Sequence, residues 1–154
     1  MPMQRIGLDA GRAVPVTHQG RVTRDAIIRA ALAEIAECGY LDARVESITT
    51  RAHVGYGTFY KYFAGKRDLV RVAMSEVFAD IFDAAANHPG NPDDVGGAVR
   101  RSVLARLQAY HRHRHTLRIF ESAIGVDHEL ATLYHDLQRD KVEAYARLLE
   151  DSAE

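Results

Sequence analysis

The chain has 154 residues, 47% of them hydrophobic and 27% charged, proportions that are ordinary for a globular protein with a hydrophobic core. No apolar run approaches the roughly 18 residues of a membrane span, and the N-terminus lacks the apolar core of a secretory signal, so we expect a cytoplasmic protein without membrane association. The net charge of −1 is distributed unevenly between the two parts of the chain. Residues 1–68 carry 10 Lys and Arg against 7 Asp and Glu, or +3, whereas residues 69–154 carry 10 against 14, or −4.

The first 20 residues show no apolar periodicity and contain three glycines and two prolines. They are predicted to form a disordered N-terminal arm. A helix is predicted next, with Thr23 as its N-cap and Gly39 just past its end. Within this helix lies the single cysteine, Cys38, which excludes an internal disulfide. Its apolar-periodic surroundings predict a buried structural thiol, which fits a reducing compartment.

Two shorter helices are predicted before residue 65. Val45, Ile48 and Ala52 form one apolar stripe, and the spacing of Phe59 and Phe63 marks the inner face of the other. Residues 21–68 therefore form one predicted domain, and residues 69–154 a second. The second domain has a predicted loop at His88–Asp94. Its helices are predicted at Lys66–Ala86, Val95–His111, His115–Ile124 and Glu129–Glu150.

No segment alternates with the period of a strand, so the predicted fold is all-α: a three-helix head followed by an antiparallel helical body. The second and third helices of the head, around a tight turn, have the build of a helix-turn-helix that lays its second helix in the major groove of DNA. Gly55 and Gly57 lack a Cβ and would let the backbone approach the duplex. Hydroxyls and amides at the helix start suit phosphate, and outward side chains can reach base edges.

These residues carry a family resemblance. The segments TRDAIIRAALAEIAECGY, VESITTRAHV, GYGTFYKYF and GKRDLV, from Thr23 onwards, resemble the N-terminal domain of the TetR family of bacterial transcriptional regulators. The resemblance implies a ligand-responsive repressor that binds palindromic double-stranded DNA as a homodimer, with no cofactor. It also implies that DNA contacts fall on matched positions, which are Arg44, Glu46, Tyr56, Gly57, Thr58, Tyr60, Lys61, Tyr62 and Lys66.

The sequence departs from the family pattern in the turn and around it. His53 replaces the usual turn glycine, so a left-handed backbone is expected on a residue that adopts it only occasionally. Gly55 stands where a hydroxyl N-cap is common, at a cost of a few tenths of a kcal/mol. Arg44 replaces a hydroxyl residue ahead of the second helix. Glu46 would repel phosphate but can accept a hydrogen bond from a cytosine amino group.

In the predicted helical body, residues 69–154, no group of polar residues identifies a type of ligand. The resemblance implies a small-molecule inducer and a dimer interface made by the last two helices of each subunit. The family body usually has more helices than this chain supplies, which leaves open a truncated chain, an incomplete body or a dimer that is built differently. Candidate pocket residues, for which plain core is the simpler interpretation because any helical bundle needs such apolar stripes, are Phe78, Phe82, Leu107, Tyr110, Phe120 and Tyr134. The run His111–His115 alternates histidine with arginine and indicates a solvated basic helix end, since the arginines disfavour a metal.

Two other functional classes compete with a DNA-binding regulator. One is an adaptor that keeps the helix-turn-helix fold but binds protein. The other is a small helical enzyme, for which the sequence shows no catalytic triad order, phosphate loop, metal site or zinc spacing.

Overall fold

The computed structural model describes residues 17–86 and 95–151. Every regular element among them is a helix, which confirms the all-α prediction. The predicted arm at 1–16 and the predicted loop at 88–94 lie outside the described residues. The six helices are α1 (His18–Cys38), α2 (Val45–Arg51), α3 (Tyr56–Tyr62), α4 (Lys66–Ala86), α5 (Val95–Ile124) and α6 (His128–Asp151).

The chain divides into two compact units, one ending at Val72 and the other beginning at Ala73. The first unit contains α1, α2, α3 and the start of α4, and the second contains the rest of α4 with α5 and α6. The division falls inside α4, four residues after the predicted boundary at residue 68.

Helix α1 begins earlier than predicted. Thr17, not Thr23, is its N-cap, and the Thr17 hydroxyl accepts a hydrogen bond from the backbone N–H of Gly20 at 3.1 Å. Thr23 lies inside the helix, where its hydroxyl donates to the carbonyl of Gln19. Residues 18–20, predicted as part of a disordered arm, are therefore helical. Gly39 ends the helix with φ +86°, a value that favours glycine.

The core of the first unit is built from the apolar stripes that the sequence shows. Ile27, Ile35, Ile48, Phe59 and Phe63 are essentially inaccessible to solvent. The rings of Phe59 and Phe63 lie 5.6 Å apart, one turn from each other on α3. This aromatic pair fixes which side of α3 faces inward. Cys38 is exposed at the end of α1, so the prediction of a buried thiol is wrong.

In the second unit, α5 is one helix of 30 residues where two were predicted. The run His111–His115 is consequently internal to α5 and not a helix end. His113 lies 2.7 Å from a carboxylate oxygen of Asp80, and Arg112 donates to the same oxygen at 3.2 Å, so the run ties α5 to α4. Both contacts lower the pKa of Asp80, the His113 hydrogen bond most. Among the described residues, no group of three or more potential ligands is placed to hold a metal ion.

Helix α6 begins after a short turn. The Asp127 side chain is buried and accepts hydrogen bonds from the backbone N–H groups of Glu129 and Leu130, at 3.1 and 3.2 Å. This is a standard N-cap. Within the described residues, no helix is long and apolar enough to cross a membrane.

The predicted pocket residues lie in the second unit and differ in their exposure. Phe78 and Phe120 are buried, and the ring of Tyr134 meets that of Phe78 edge-on at 5.6 Å. Phe82 and Tyr110 are half-buried. Leu107 is 58% exposed, so within one protomer it does not line an enclosed pocket.

Candidate nucleic-acid interface

A tight turn joins α2 to α3. The backbone N–H of His53 donates to the carbonyl of Thr50 at 3.1 Å, and that of Val54 donates to the carbonyl of Thr49 at 3.0 Å. His53 has φ +54°, the only positive value on a non-glycine residue among the described positions. The left-handed turn expected at His53 is confirmed, and the residue carries the steric strain that the usual glycine avoids.

Helix α3 begins on an N-cap without a hydroxyl. Gly55 caps it with extended backbone, and the first hydrogen bond runs from the N–H of Thr58 to the carbonyl of Gly55 at 2.8 Å. Gly57, in the first turn, is exposed, and a Cβ built there meets nothing within 4 Å. In the isolated protein, no packing therefore requires a glycine at position 57.

The seven residues of α3 separate into a buried and an exposed side. At 100° per residue, Gly57 and Lys61 lie opposite Phe59 and Phe63. Both are exposed, as expected for positions that face away from the core. Thr58, together with Tyr62 one turn later, occupies one flank of the helix. Both side chains are half-buried.

The other flank of α3 is occupied by a tyrosine pair. The hydroxyls of Tyr56 and Tyr60 lie 3.1 Å apart, and their ring centroids lie 5.1 Å apart. The hydrogen bond to Tyr60 raises the pKa of Tyr56; partial desolvation adds to this, and the charge of Glu46 makes a smaller contribution. Glu46 on α2 therefore acts electrostatically on the same surface as Tyr56 on α3.

The N-terminus of α2 lies in the same unit. Arg44 is its N-cap and makes no side-chain capping bond, and both Arg44 and Glu46 are exposed. The hydroxyls of Thr49 and Thr50 both donate to the carbonyl of Glu46 at 2.9 Å. These bonds hold the two threonines to the helix itself, so the outward polar groups at the start of α2 are Arg44 and Glu46.

An ion-pair cluster that sequence analysis did not single out joins α1 to α2. Arg51, the last residue of α2, donates to both carboxylate oxygens of Glu37, at 2.8 and 2.5 Å, and lies 3.3 Å from Glu34. The hydrogen bond from Arg51 lowers the pKa of Glu37. The only sequence signal is the i, i+3 spacing of the two glutamates, which does not identify a partner on another helix.

Lys66 has a different environment from the one predicted. Its ammonium group donates to the backbone carbonyls of Tyr40, Leu41 at 3.1 Å and Ala43 at 2.8 Å, and lies 4.6 Å from the centre of the Tyr40 ring. An ammonium has three N–H donors, and three carbonyls occupy them. The structure therefore revises the expectation of a phosphate contact by this side chain, because such a contact would require breaking these bonds.

Comparisons with known proteins agree with this geometry. Residues 27–73 match the family model described as "Bacterial regulatory proteins, tetR family". The chain is 31% identical over 126 residues to the HTH-type transcriptional repressor SCO4008 of Streptomyces coelicolor, a match that covers 81% of this chain and 60% of that relative. The chain thus spans less than two thirds of the length of this curated relative.

Two solved structures show a similar fold. One is the fatty acid degradation regulator FadR from Bacillus halodurans, with a TM-score of 0.66 and 26% identity, over 84% of this chain and 67% of that one. The other is a tetR family transcription regulator from Shewanella sp. PV-4, with a TM-score of 0.66 and 17% identity, over 85% and 70%. Residues 27–73 of the chain therefore contain a domain that matches the tetR family of bacterial regulatory proteins.

Proposed function

We propose that this protein is a sequence-specific DNA-binding transcriptional regulator whose α3 enters the major groove. The observation that carries the proposal is the two-sided character of α3. Phe59 and Phe63 bury one side in the core, while Gly57 and Lys61 leave the opposite side open, small at its start and cationic one turn later. A short helix that is to lie in a groove needs this combination of a rigid back and an approachable front.

The proposed contacts divide into two groups by chemistry. Base edges would be read by the side chains that project farthest from the core, which are Tyr56, Lys61 and Glu46. Phosphates would be contacted by Arg44, by the hydroxyls of Thr58, Tyr60 and Tyr62, and by the backbone at Gly57. Glu46 beside Tyr56 provides an acceptor for a cytosine amino group, which favours a C·G pair at that position.

A selection experiment tests the proposal. The 154-residue protein is incubated with duplexes of random sequence, bound DNA is amplified through several rounds, and the enriched sequences are measured by gel shift at two salt concentrations. Enrichment of a common motif, with binding that weakens as salt rises, is the expected result. Recovery of random sequences would contradict sequence-specific binding. The Lys61→Ala variant should shift the enriched motif, whereas a uniform loss over all sequences would show that Lys61 does not read bases.

We further propose that the protein represses transcription as a homodimer on palindromic operators and responds to a small molecule bound in the second unit. Support comes from its family, whose members bind DNA and typically ligands, and from a relative named as a repressor. In this arrangement, ligand binding favours a state in which the two heads no longer match successive major grooves, about 34–36 Å apart. An inverted repeat in the selected DNA would support the dimer, and a single half-site would contradict it.

Two alternatives make different predictions in the same assay. An adaptor with this fold would show no DNA enrichment but would retain a partner protein on the exposed face of α3. An enzyme would need a catalytic constellation, and we propose none for this chain. Its named relatives are regulators.

A further inference from the structure

Lys66 is the first residue of α4, yet its side chain belongs to the connection between α1 and α2. That connection, residues 39–44, is short and irregular. Three of its carbonyls, those of Tyr40, Leu41 and Ala43, converge on the Lys66 ammonium. The ammonium group thus binds three carbonyls of this connection, although Lys66 lies 23 to 26 residues later in the chain.

The surroundings of this cation are those of a structural contact. Tyr40 and Ala43 are buried, with 7% and 3% of their surface exposed, and the Tyr40 ring lies against the ammonium at 4.6 Å. Carbonyls in a partly buried loop have no helix or strand partners, so they depend on such a donor. The ring adds a cation–π attraction to the same ammonium.

The hydrogen bond from Lys66 to Ala43 bears on the start of α2. Ala43 directly precedes Arg44, the N-cap of α2, whose carbonyl accepts the first hydrogen bond of that helix from Ile48 at 3.1 Å. The Arg44 side chain makes no capping bond, so the start of α2 is fixed through its backbone. The carbonyl of Ala43, directly before Arg44, accepts a hydrogen bond from the Lys66 ammonium at 2.8 Å.

We propose that Lys66 is a positioning residue for DNA recognition: it holds the segment before α2 so that Arg44 and Glu46 are correctly placed, and it does not itself contact phosphate. The inference rests on the proposed DNA-binding function. It assigns to the first residue of α4 control over the start of α2. A displacement of α4 at this point would therefore reach the DNA-contacting residues through three hydrogen bonds.

Two substitutions at position 66 separate a positioning role from a phosphate contact. Lys66→Met keeps the length of the stem but removes the donors and the charge. Lys66→Arg keeps the charge, but a planar guanidinium cannot bring three N–H groups to one point as an ammonium does. Arg29→Met is the matched control, because it removes an exposed cation of the same unit that is not among the proposed DNA contacts. The measurements are made at a temperature at which circular dichroism shows that all variants are folded.

DNA affinity is then measured against salt, with a duplex selected from random-sequence DNA by the wild-type protein. A positioning role predicts that Lys66→Met and Lys66→Arg both weaken binding, by about tenfold, while the slope of log K against log salt stays at the wild-type value. A phosphate contact predicts instead that Lys66→Met lowers the slope by about 0.9 and that Lys66→Arg restores affinity. The second pattern would overturn the proposal.

Hydrogen exchange of the protein without DNA provides an independent readout. Amides of residues 40–48 should exchange faster in Lys66→Met than in the wild type, while those in the middle of α5 keep their rate. Unchanged exchange at residues 40–48 would overturn the proposal even if affinity fell. A wild-type protein that selects no DNA would overturn the proposed function, and with it the role in recognition, whereas exchange would still report whether Lys66 holds the segment.

Discussion

The phenolic oxygens of Tyr56 and Tyr60 lie 3.1 Å apart on one flank of α3. Since a hydroxyl has one hydrogen to donate, this bond uses the hydrogen of one tyrosine and an oxygen lone pair of the other. A tyrosine is neutral at pH 7 because its ordinary pKa is about 10, and the hydrogen bond with Tyr60 raises the pKa of Tyr56 further. The pair therefore acts as a neutral, pre-oriented hydrogen-bonding unit.

The two tyrosines should respond differently to loss of a hydroxyl. Tyr56→Phe should change the ratio of affinities between the selected duplex and its single-base variants by about fivefold, the equivalent of one hydrogen bond of about 1 kcal/mol. Tyr60→Phe should weaken binding to all duplexes alike, because its proposed partner is a phosphate. Gel shifts with a panel of single-base variants measure both effects. Tyr110→Phe, in the second unit, is the control and should leave the panel unchanged.

Gly57 gives a prediction in which stability and binding move in opposite directions. A Cβ at this position meets nothing within 4 Å, and alanine is about 1 kcal/mol better than glycine in a helix. Gly57→Ala should therefore raise the midpoint of urea unfolding, yet weaken DNA binding about tenfold if the backbone approaches the duplex closely. Gly96→Ala is the control, since a Cβ at Gly96 in α5 also meets nothing within 4 Å. Unimpaired DNA binding by Gly57→Ala would contradict a close backbone approach there.

Local patterns in the sequence were enough to predict most of the head. The spacing of Phe59 and Phe63, one turn apart, predicted the buried side of α3. The left-handed backbone of His53 was implied by the family resemblance, which places a glycine at that position. The ends of α1 and the continuity of α5 were harder. Thr17 and Thr23 are both possible N-caps, and the run His111–His115 contains no apolar position that would mark a helix face.

The role of Lys66 could not be predicted from the sequence because its partners are backbone carbonyls. Any residue type contributes a carbonyl, so Tyr40, Leu41 and Ala43 carry no pattern that identifies them as ligands of a cation. The family resemblance identified position 66 as important but assigned it to phosphate. Only the three-dimensional path of the α1–α2 connection shows which oxygen atoms the ammonium meets. The same limit applies to Arg51 and Glu37, which meet across two helices.

Replacing His53 with glycine should stabilise the turn between α2 and α3. His53 has φ +54°, where a Cβ costs roughly 1–2 kcal/mol, part of which is regained as glycine's greater freedom in the unfolded chain. His53→Gly should therefore stabilise the first unit by about 0.5–1 kcal/mol, measured by urea unfolding. His53→Ala is the matched control: it removes the imidazole but keeps the Cβ, so it should give no gain. Equal stabilisation by both variants would show that the imidazole, and not the backbone, is the source of strain.

The ion pair between Glu37 and Arg51 should make stability depend on pH in a defined direction. The hydrogen bond from Arg51 lowers the pKa of Glu37 in the folded protein below its unfolded value of about 4.3. The folded state therefore binds fewer protons, and the stabilisation is fully present above the unfolded pKa and is lost as pH falls through the folded pKa. Because both groups are exposed, salt should screen the pair.

The melting temperatures of wild type and Glu37→Gln should differ most at pH 7 and low salt. That difference should shrink below about pH 4 and in about 1 M salt. Glu121→Gln, at an exposed position of α5, is the control for losing one carboxylate. A difference between wild type and Glu37→Gln that persists unchanged at pH 3 would show that it comes from packing of the side chain and not from its charge.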